Sequence, residues 1–486
     1  MTRDASAVDE RRSPAGDAPR GPDVAAFAAL ALSAAITVLI GLLGPSAMVP
    51  GLPGPSWHPP YALDARPGPH LVIGLGLAAI VLGGLGLAGA LRSAWSPPAR
   101  LLLVAGCAVA GLIAFLPPSG SADHLNYAAY GRLVTLGHDP YAITPAALPG
   151  DPVTDAVEEW TGVTSVYGPV ATAVQALASL VGGDSVRLTV FVMAAVNATA
   201  FIGTALLLHR FAAGDERLRR RAALLWAANP LLIYHLAAGM HVDTLAIACM
   251  VAALAVRGAA SGLLLGVGIG IKLNAGLVAL GPAWELRRSP GRLAVVAGTA
   301  TATVLAVYAV AGPHVLDQVS AASRKVSLAT PWHLVKVGLQ DVFGPGAYSA
   351  WIQAGSLALM VFLAWLLLRT MPSDGAPAVA AAVVVAWLFA APYALPWYDG
   401  LAFALLAMVS WPALEGFMVA RITVLSLGYL PAREALRPED LAWMKTLVRE
   451  RVVPWTLLAV TAALAYRAVR SARRARRPTA SAAPPP

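Results

Sequence analysis

The sequence predicts an all-α polytopic membrane protein, and three observations lead to that class. Only 13% of the 486 residues are charged and the mean hydropathy is +0.66, whereas a soluble domain carries roughly 25% charged residues. Apolar runs of about 20 residues, enough to cross the ~30 Å hydrocarbon layer, recur along the chain. The runs are continuous Ala/Leu/Val blocks rather than alternating strands, so helices would satisfy their backbone polar groups.

The apolar runs predict about 12–14 membrane crossings. Residues 261–284 form a further apolar stretch that is broken by glycines and Lys272, and residues 168–182 are apolar but short. The continuous runs are 24–44, 70–91, 101–117, 186–209, 222–238, 242–257, 293–312, 351–369, 377–394, 398–413, 415–430 and 453–470.

One multispanning domain, residues 24–470, is expected between two polar tails. Residues 1–23 mix acids and bases with Pro and Gly, which predicts a disordered cytoplasmic tail and not a cleaved signal peptide. Residues 471–486 are basic and rich in Pro and Ala and predict a second such tail. Much of the net charge of +9 lies in arginines beside the last apolar run, a pattern typical of the cytoplasmic membrane surface. No nucleic-acid partner is therefore expected.

Charged residues in the loops predict the orientation in the plasma membrane. The arginine-rich loops 209–221 and 285–292 are expected in the cytoplasm, together with both termini. Segment 118–166 carries six acids and one base, Arg132, and is expected on the outer side. It is too long for an ordinary connection, and its apolar spacing predicts short interfacial helices. Segment 431–451 has mixed charge and is predicted to be an amphipathic helix on the outer surface.

The outer segment begins with a carboxylate close to the end of a predicted membrane helix. Asp123 would be costly at that depth unless a cavity or partners solvate it. Two interpretations stay open: a cap for the next helix, which also suits Ser121, or a catalytic group. Further along, residues 163–170 (VTSVYGPV) predict an extended segment followed by a helix that starts with proline.

Other polar residues stand isolated in apolar surroundings. His241 and Asp243 lie at the outward end of a predicted helix pair, with too few ligands around them for a metal site. Lys272 either faces a cavity or partner or reaches the surface along its aliphatic stem. Arg324 and Lys325, on a predicted outer loop, would clamp a phosphate or form a solvated pair.

Six motifs in order, DHLNYAAYGRL, GHDPY, GDPV, SVYGP, GMHVDTL and GIKLNA, resemble the polyprenol-phosphate-mannose-dependent α-1,6-mannosyltransferases of actinobacterial envelopes. That family belongs to the glycosyltransferase C superfamily. The resemblance covers about residues 120–400 and is densest over 123–169. Three features are expected to depart from the family: His124 directly follows the aspartate, Val242 replaces a polar residue, and no carbohydrate-binding domain is expected at the C-terminus.

The resemblance implies a glycosyltransferase C-type fold and a reaction. Mannose would pass from polyprenyl-phosphate-mannose to a mannan or glycolipid acceptor at the outer face, with inversion and an α-1,6 linkage. Asp123 would be the general base, while Lys272, Arg324, Lys325 and His333 would stabilise the departing phosphate. The residues expected to contact substrate are His124, Tyr127, Tyr130, Asp139, Tyr141, Tyr167, His241, Asp243, Lys272, Arg324, Lys325 and His333.

Several alternatives stay open at this stage. The donor sugar could be another lipid-linked sugar such as arabinofuranose, and the acceptor a protein hydroxyl. A lipid-linked sugar transporter should show interrupted helices at matching positions in two halves, but only 261–284 is interrupted. An inactive scaffold is disfavoured by the intact Asp123. No cofactor or metal cluster is expected, although a cation held between Asp123 and Asp243 stays an alternative.

Overall fold

The computed structural model describes residues 20–475, and within that range the chain is helical with no β-strand. The first helix begins at Gly21 and the last ends at Ala475. Most of the two predicted polar tails, 1–23 and 471–486, therefore lies outside the described residues. The predicted multispanning domain accounts for nearly everything that the structure describes.

Most helices follow the predicted apolar runs, with ends shifted by a few residues. In chain order the helices are α1 (Gly21–Leu43), α2 (Pro69–Ala90), α3 (Ala99–Ile113), α4 (Asp123–Thr135), α5 (Pro169–Gly182), α6 (Val186–Phe211), α7 (Glu216–Leu225), α8 (Pro230–Leu232), α9 (Asp243–Ala255), α10 (Ala259–Ile271), α11 (Leu280–Glu285), α12 (Pro290–Ala311), α13 (Asp317–Ser323), α14 (Pro331–Phe343), α15 (Ser349–Leu368), α16 (Ala376–Ala390), α17 (Asp399–Met408), α18 (Pro412–Tyr429) and α19 (Val453–Ala475). The predicted run 222–238, however, is divided among α7, a turn, α8 and a π-helical turn at Ile233–Ala238.

Helix length and apolar composition confirm the predicted class. Six helical spans are long and apolar enough to cross a membrane: α1, α2, α6, α12, α15 and the span Glu439–Arg473, which contains most of α19. Shorter apolar helices are α3, α5, α9, α10 and α16. The chain is an all-α polytopic membrane protein, and the number of 12–14 crossings stays a prediction.

Proline starts many of these helices because its fixed φ suits the first turn and its missing N–H leaves no helical bond unmade. Pro69, Pro169, Pro290 and Pro412 each occupy the first helical position. Before Pro169, Gly168 is extended, with φ −72° and ψ 166°. The predicted extended segment and its proline-started helix are thus confirmed.

The broken apolar stretch 261–284 consists of two helices joined by a tighter turn. Helix α10 ends at Ile271, Lys272 has an extended backbone (φ −149°, ψ 116°), and a 3₁₀ segment, Leu273–Ala279, leads into α11. Helix α10 therefore ends just before the one charged residue of the stretch, and the Lys272 backbone is not helical.

Segment 118–166 contains one regular helix, α4, and a 3₁₀ turn at Pro145–Ala147. Helix α4 packs on α5, and Gly131 permits the close approach, because a side-chain carbon there would overlap the Gln175 carbonyl. The predicted helical content is present, and its interfacial location stays a prediction.

Segment 431–451 is only partly the amphipathic helix that its composition predicts, and its location on the outer surface stays a prediction. Only Glu439–Leu441 and Met444–Val452 are helical, and the second, which has π-helical hydrogen bonds, continues directly into α19. Pro454 has no backbone N–H and cannot donate a hydrogen bond to the preceding turn. A helix can accommodate such a missing hydrogen bond with a π-helical turn.

Three inter-helix segments converge at one end of the bundle, which we call the Asp123 face. Gly120 N–H donates to the Met48 carbonyl oxygen (2.9 Å), so segment 118–166 lies against the loop between α1 and α2. Arg433 donates to the Ser46 carbonyl oxygen (2.6 Å) and pairs with Glu158. The loop between α18 and α19 therefore joins the same face.

A second group of connections lies at the other end, which we call the opposite face. Glu285 accepts a hydrogen bond from the backbone N–H of Ala376 (2.7 Å), and Arg287 pairs with Asp374 at 3.3 Å. These contacts join the loop before α12 to the loop before α16. The bundle therefore has an acidic, aromatic end and an arginine-rich end.

Candidate active site

The candidate site is built from helix ends that meet at the Asp123 face. It combines the first turn of α4, the segment that leads into α9, the break after α10 and the turn before α17. A charged side chain in the hydrocarbon core of the membrane costs free energy, so polar side chains are found where the helices end. We call the group formed by Asp123, His241, Asp243, Lys272 and Trp397 the Asp123 cluster.

Asp123 contacts His241 across the two helix ends. Its Oδ2 atom lies 3.6 Å from His241 Nδ1; the Asp123 side chain is 19% exposed and that of His241 is fully buried. The Asp123 backbone N–H donates to Ser121 Oγ (3.1 Å). The carboxylate of Asp123 accepts no backbone hydrogen bond from the described residues. Ser121 thus accepts a hydrogen bond at the start of α4, and the Asp123 carboxylate is partly exposed beside His241.

Asp243 and Lys272 form a second charged pair beside the first. Lys272 Nζ lies 2.5 Å from Asp243 Oδ2, with side chains 14% and 7% exposed. The same ammonium lies 4.2 Å from the centre of the Tyr398 ring, a cation–π arrangement. Lys272 is therefore directed into the site instead of reaching the membrane surface.

Three aromatic residues beside the charged pairs, Trp397, Tyr398 and Tyr429, were not predicted. Trp397 stacks on His241 with ring centres 3.5 Å apart and an interplanar angle of 13°, and Tyr429 packs edge-on against Trp397 at 5.1 Å. Trp397 and Tyr398 belong to the 3₁₀ turn Pro396–Tyr398. The sequence PYALPWYDG carried a signal: prolines, aromatics and an acid interrupt two apolar runs.

The predicted tyrosines lie along one side of Asp123. The hydroxyl oxygen of Tyr127 lies 3.4 Å from His241 Nδ1 and accepts a hydrogen bond from the Tyr167 hydroxyl at 3.4 Å. The Tyr127 and Tyr167 rings meet at right angles, 4.9 Å apart. Tyr130 donates to the Val163 carbonyl oxygen (3.0 Å). Packing fixes all three rings next to the carboxylate.

The surroundings of Asp123 shift its acidity. Burial raises the pKa of the Asp123 carboxyl to about 6; the positive charge of Lys272 opposes the rise, and the carboxylates of Glu159 and Asp243 add to it. A carboxylate with this pKa is a stronger base than a solvated aspartate and is ionised near neutral pH. Such a group is suited to accept a proton from a hydroxyl.

The family comparison covers the part of the chain that contains this geometry. The family model described as "Alpha-(1->6)-mannopyranosyltransferase, N-terminal domain" matches residues 28–287, more than half of the chain. The chain belongs to this family. The matched range includes Asp123, His241, Asp243 and Lys272, whereas Trp397 lies beyond it.

Two curated proteins, both named alpha-(1->6)-mannopyranosyltransferase A, are similar to this member of the family. The protein from Mycobacterium tuberculosis is 28% identical over 313 residues, 58% of this chain and 60% of its own. The protein from Corynebacterium glutamicum is 27% identical over 167 residues, 34% of each chain. The chain thus spans about three fifths and one third of these relatives' own lengths. No solved structure matches the chain.

The other predicted residues in and after α4 are His124, Asp139 and Tyr141. The His124 ring is fully buried, and its two nitrogens have no partner among the described residues. Burial and the charge of Arg433 lower its pKa to about 3. Asp139 accepts a hydrogen bond from the Tyr141 backbone N–H (2.9 Å), and the Tyr141 hydroxyl lies 2.8 Å from Thr172 Oγ1. Contact of these residues with substrate stays a prediction.

The described contacts of Arg324, Lys325 and His333, the basic residues predicted on or beside the outer loop, do not involve the Asp123 cluster. Lys325 Nζ lies 5.3 Å from the centre of the Trp160 ring, and Arg324 is exposed. His333 is half-buried; burial lowers its pKa, and the charges nearest to it are those of Glu450 and Lys336. Their proposed phosphate role therefore concerns the edge of the site.

A cation between Asp123 and Asp243 has little support from the donor set. In residues 20–475 no group of three or more His, Cys, Asp and Glu side chains is arranged to hold a metal ion. The Asp243 carboxylate is also occupied by Lys272. The arrangement favours acid–base and electrostatic chemistry.

Proposed function

We propose that the chain transfers mannose from polyprenyl-phosphate-mannose to a mannan or glycolipid hydroxyl at the outer face of the plasma membrane, with inversion and an α-1,6 linkage. The acceptor oxygen attacks C1 of the β-linked mannosyl unit as the bond from C1 to the phosphate oxygen breaks. The hydroxyl proton passes to Asp123, and polyprenyl phosphate leaves with the bonding electrons. Family membership supports the sugar and the linkage.

The Asp123 carboxylate is the single observation that carries the proposal. It is partly exposed at a helix end, is bordered by tyrosines, and has its pKa raised to about 6. A general base needs hydrogen-bond reach to the proton that it accepts and a pKa near the working pH. The neighbouring His241, which is buried and stacked on Trp397, would hold the carboxylate in position through its 3.6 Å contact with Asp123 Oδ2.

Lys272 is the nearest cation for the departing phosphate. Charge on the phosphate oxygens grows as the C1–O bond breaks, and a fixed cation in a partly buried site stabilises that charge. Lys272 is held by Asp243 and by the Tyr398 ring. Arg324, Lys325 and His333 would act on the donor phosphate at the edge of the site.

The charge distribution supports the proposed orientation in the membrane. The Asp123 face contains the acidic segment 118–166, and arginine-rich loops lie on the opposite face. Positive charge is retained on the cytoplasmic side of membrane proteins. Asp123 would then face outward, and both termini would lie in the cytoplasm.

A vesicle assay tests the proposal. Sealed right-side-out and inside-out membrane vesicles receive radiolabelled polyprenyl-phosphate-mannose or polyprenyl-phosphate-arabinofuranose and a membrane-impermeant mannoside acceptor. We expect labelled product from the mannose donor in right-side-out vesicles, with an α-1,6 linkage on methylation analysis. Asp123→Asn should lower kcat by about 100- to 10,000-fold, the usual contribution of a general base.

Asp155→Asn is the matched control, because this carboxylate lies in the same segment but binds the Gly150 backbone N–H (3.0 Å). It should retain wild-type kcat. Transfer from the arabinose donor alone would replace the proposed sugar, and product only in inside-out vesicles would reverse the orientation. Substantial turnover by Asp123→Asn would remove the base.

A further inference from the structure

A buried ion pair lies directly behind the Asp123 cluster. Arg421 on α18 binds Asp399, the first residue of α17, and their side chains are 2% and 0% exposed. Arg421 also donates to the Leu388 carbonyl oxygen on α16 (2.7 Å). Burying two charges costs more free energy than burying apolar side chains of similar size, even when the charges are paired. Such a pair therefore suggests a role besides folding stability.

The pair is joined covalently to the wall of the site. Asp399 follows Trp397 and Tyr398 in sequence, and these two rings contact His241 and Lys272. Trp397 supports His241, the partner of Asp123. Tyr398 supports Lys272, the partner of Asp243. One short turn thus orients both charged pairs of the cluster.

A second observation shows how tightly the start of α17 is held. Gly400 lies against the π-helical turn Ile233–Ala238, which leads to His241, and a side-chain carbon at Gly400 would approach Leu236 Cδ1 to 2.8 Å. The turn before α17 is therefore confined between the Leu236 side chain and the Arg421 guanidinium. A shift of Asp399 would move Trp397 against His241.

We propose that Asp399 and Arg421 are positioning residues: their ion pair fixes the turn Pro396–Tyr398 and thereby the geometry of Asp123 and Lys272. The inference rests on the proposed function, because it assigns the pair a role in the same reaction. Neither residue contacts the reacting atoms. The pair acts through Trp397 and Tyr398.

The molecule contains a matched control on the same helix. Glu415 of α18 pairs with Arg221 of α7, with side chains 6% and 12% exposed, near the opposite face. This pair is also largely buried, yet it touches no residue of the Asp123 cluster among its described contacts. A role in folding alone would make the two pairs equivalent.

The experiment compares two double variants, Asp399→Leu/Arg421→Met and Glu415→Leu/Arg221→Met, in purified protein reconstituted into nanodiscs. Apolar replacement of a whole buried pair generally preserves folding. For the Asp399 variant we expect a Tm close to the wild type, a kcat about 100-fold lower, and a donor KM that changes little, because small displacements of catalytic groups cost that much. The Glu415 variant should match the wild type in all three.

Hydrogen exchange, measured without substrate, provides a readout that is independent of activity. Amides of 393–399 and 239–243 should exchange faster than in the wild type in the Asp399 double variant. In the Glu415 double variant their exchange rates should equal those of the wild type. If the wild type shows no mannosyl transfer but the two double variants still differ in exchange, the proposed function fails. The Asp399–Arg421 pair would then still be shown to fix the turn Pro396–Tyr398. Wild-type exchange in both segments would overturn the positioning role by itself.

A conservative variant covers the case in which the Asp399 double variant does not fold. Arg421→Lys keeps the charge but cannot bind Asp399 and the Leu388 carbonyl with one planar fork. We expect it to fold, to lose about tenfold in kcat and to exchange faster at 393–399. Wild-type kcat and exchange in this variant, or an equal loss of kcat in both double variants, would reduce the pair to a structural one.

Discussion

The Asp123 cluster and the segment α13–α14 were both expected to contact substrate, and the structure builds them in opposite ways. Asp123, His241 and Lys272 lie at the ends of helices that pack together, and their side chains range from 0% to 19% exposed. Helices α13 and α14, which flank or contain Arg324, Lys325 and His333, contain no buried residue. Both regions were predicted from charged or titratable side chains, but the burial of these side chains differs.

The difference in burial suggests that the two regions have different roles, one in catalysis and the other in donor recognition. A catalytic carboxylate must be held within a fraction of an ångström of its working position, which requires buried supporting side chains. A cation that attracts a lipid phosphate acts at longer range and tolerates motion. We therefore expect substitutions in the Asp123 cluster to lower kcat, and substitutions in α13–α14 to change the donor KM.

The largest effect in this comparison is expected at His241. Its ring lies between Asp123 and Trp397, so His241→Asn removes the stacked support of the base. We expect kcat to fall by roughly 100-fold, the scale of a misplaced catalytic group, with the donor KM nearly constant. Steady-state kinetics in nanodiscs measures both.

The exposed His138, in the same outer segment, provides the control: His138→Asn should retain wild-type kcat. If His241→Asn also retained it, the buried support would be unnecessary and the contrast between the two regions would lose its physical basis.

A smaller effect, on pH dependence, is expected from Lys272→Met. Asp123 must be ionised to accept a proton, so kcat should fall on the acid side of its pKa, which burial raises to about 6. The Lys272 charge holds that pKa down. Removing the charge raises the pKa further, and the acid limb of the kcat profile should move to higher pH.

Arg324→Met is the control for the pH profile, because it removes a positive charge from the exposed segment. Its acid limb should coincide with that of the wild type. A limb that stays in place in Lys272→Met, or moves equally in both variants, would show that Lys272 does not set the ionisation of Asp123.

The sequence predicted the helices well, because an apolar run of membrane-crossing length leaves the backbone few alternatives. It also indicated Asp123, His241 and Lys272, since isolated polar residues at the ends of apolar runs need partners. Local patterns did not identify which partners they would find.

Trp397 shows why part of the site was missed. Its neighbours Pro396 and Tyr398 suit an ordinary helix start, and its role arises only from a contact with His241 that is distant in sequence. The helical extent of segment 431–451 was missed for a related reason: whether Met444–Val452 ends or continues into α19 depends on the neighbours against which both pack.

The smallest effect is expected from Arg324→Ala. An exposed guanidinium is well hydrated, so its attraction for a donor phosphate is modest and is screened by salt. We expect the donor KM to rise about threefold to fivefold at low ionic strength, with unchanged kcat, and the difference from the wild type to shrink at high salt. An unchanged KM at low salt would remove Arg324 from the phosphate ligands. A fall in kcat as large as that of His241→Asn would place α13–α14 in the chemistry itself, because exposure would then no longer separate recognition from catalysis in this protein.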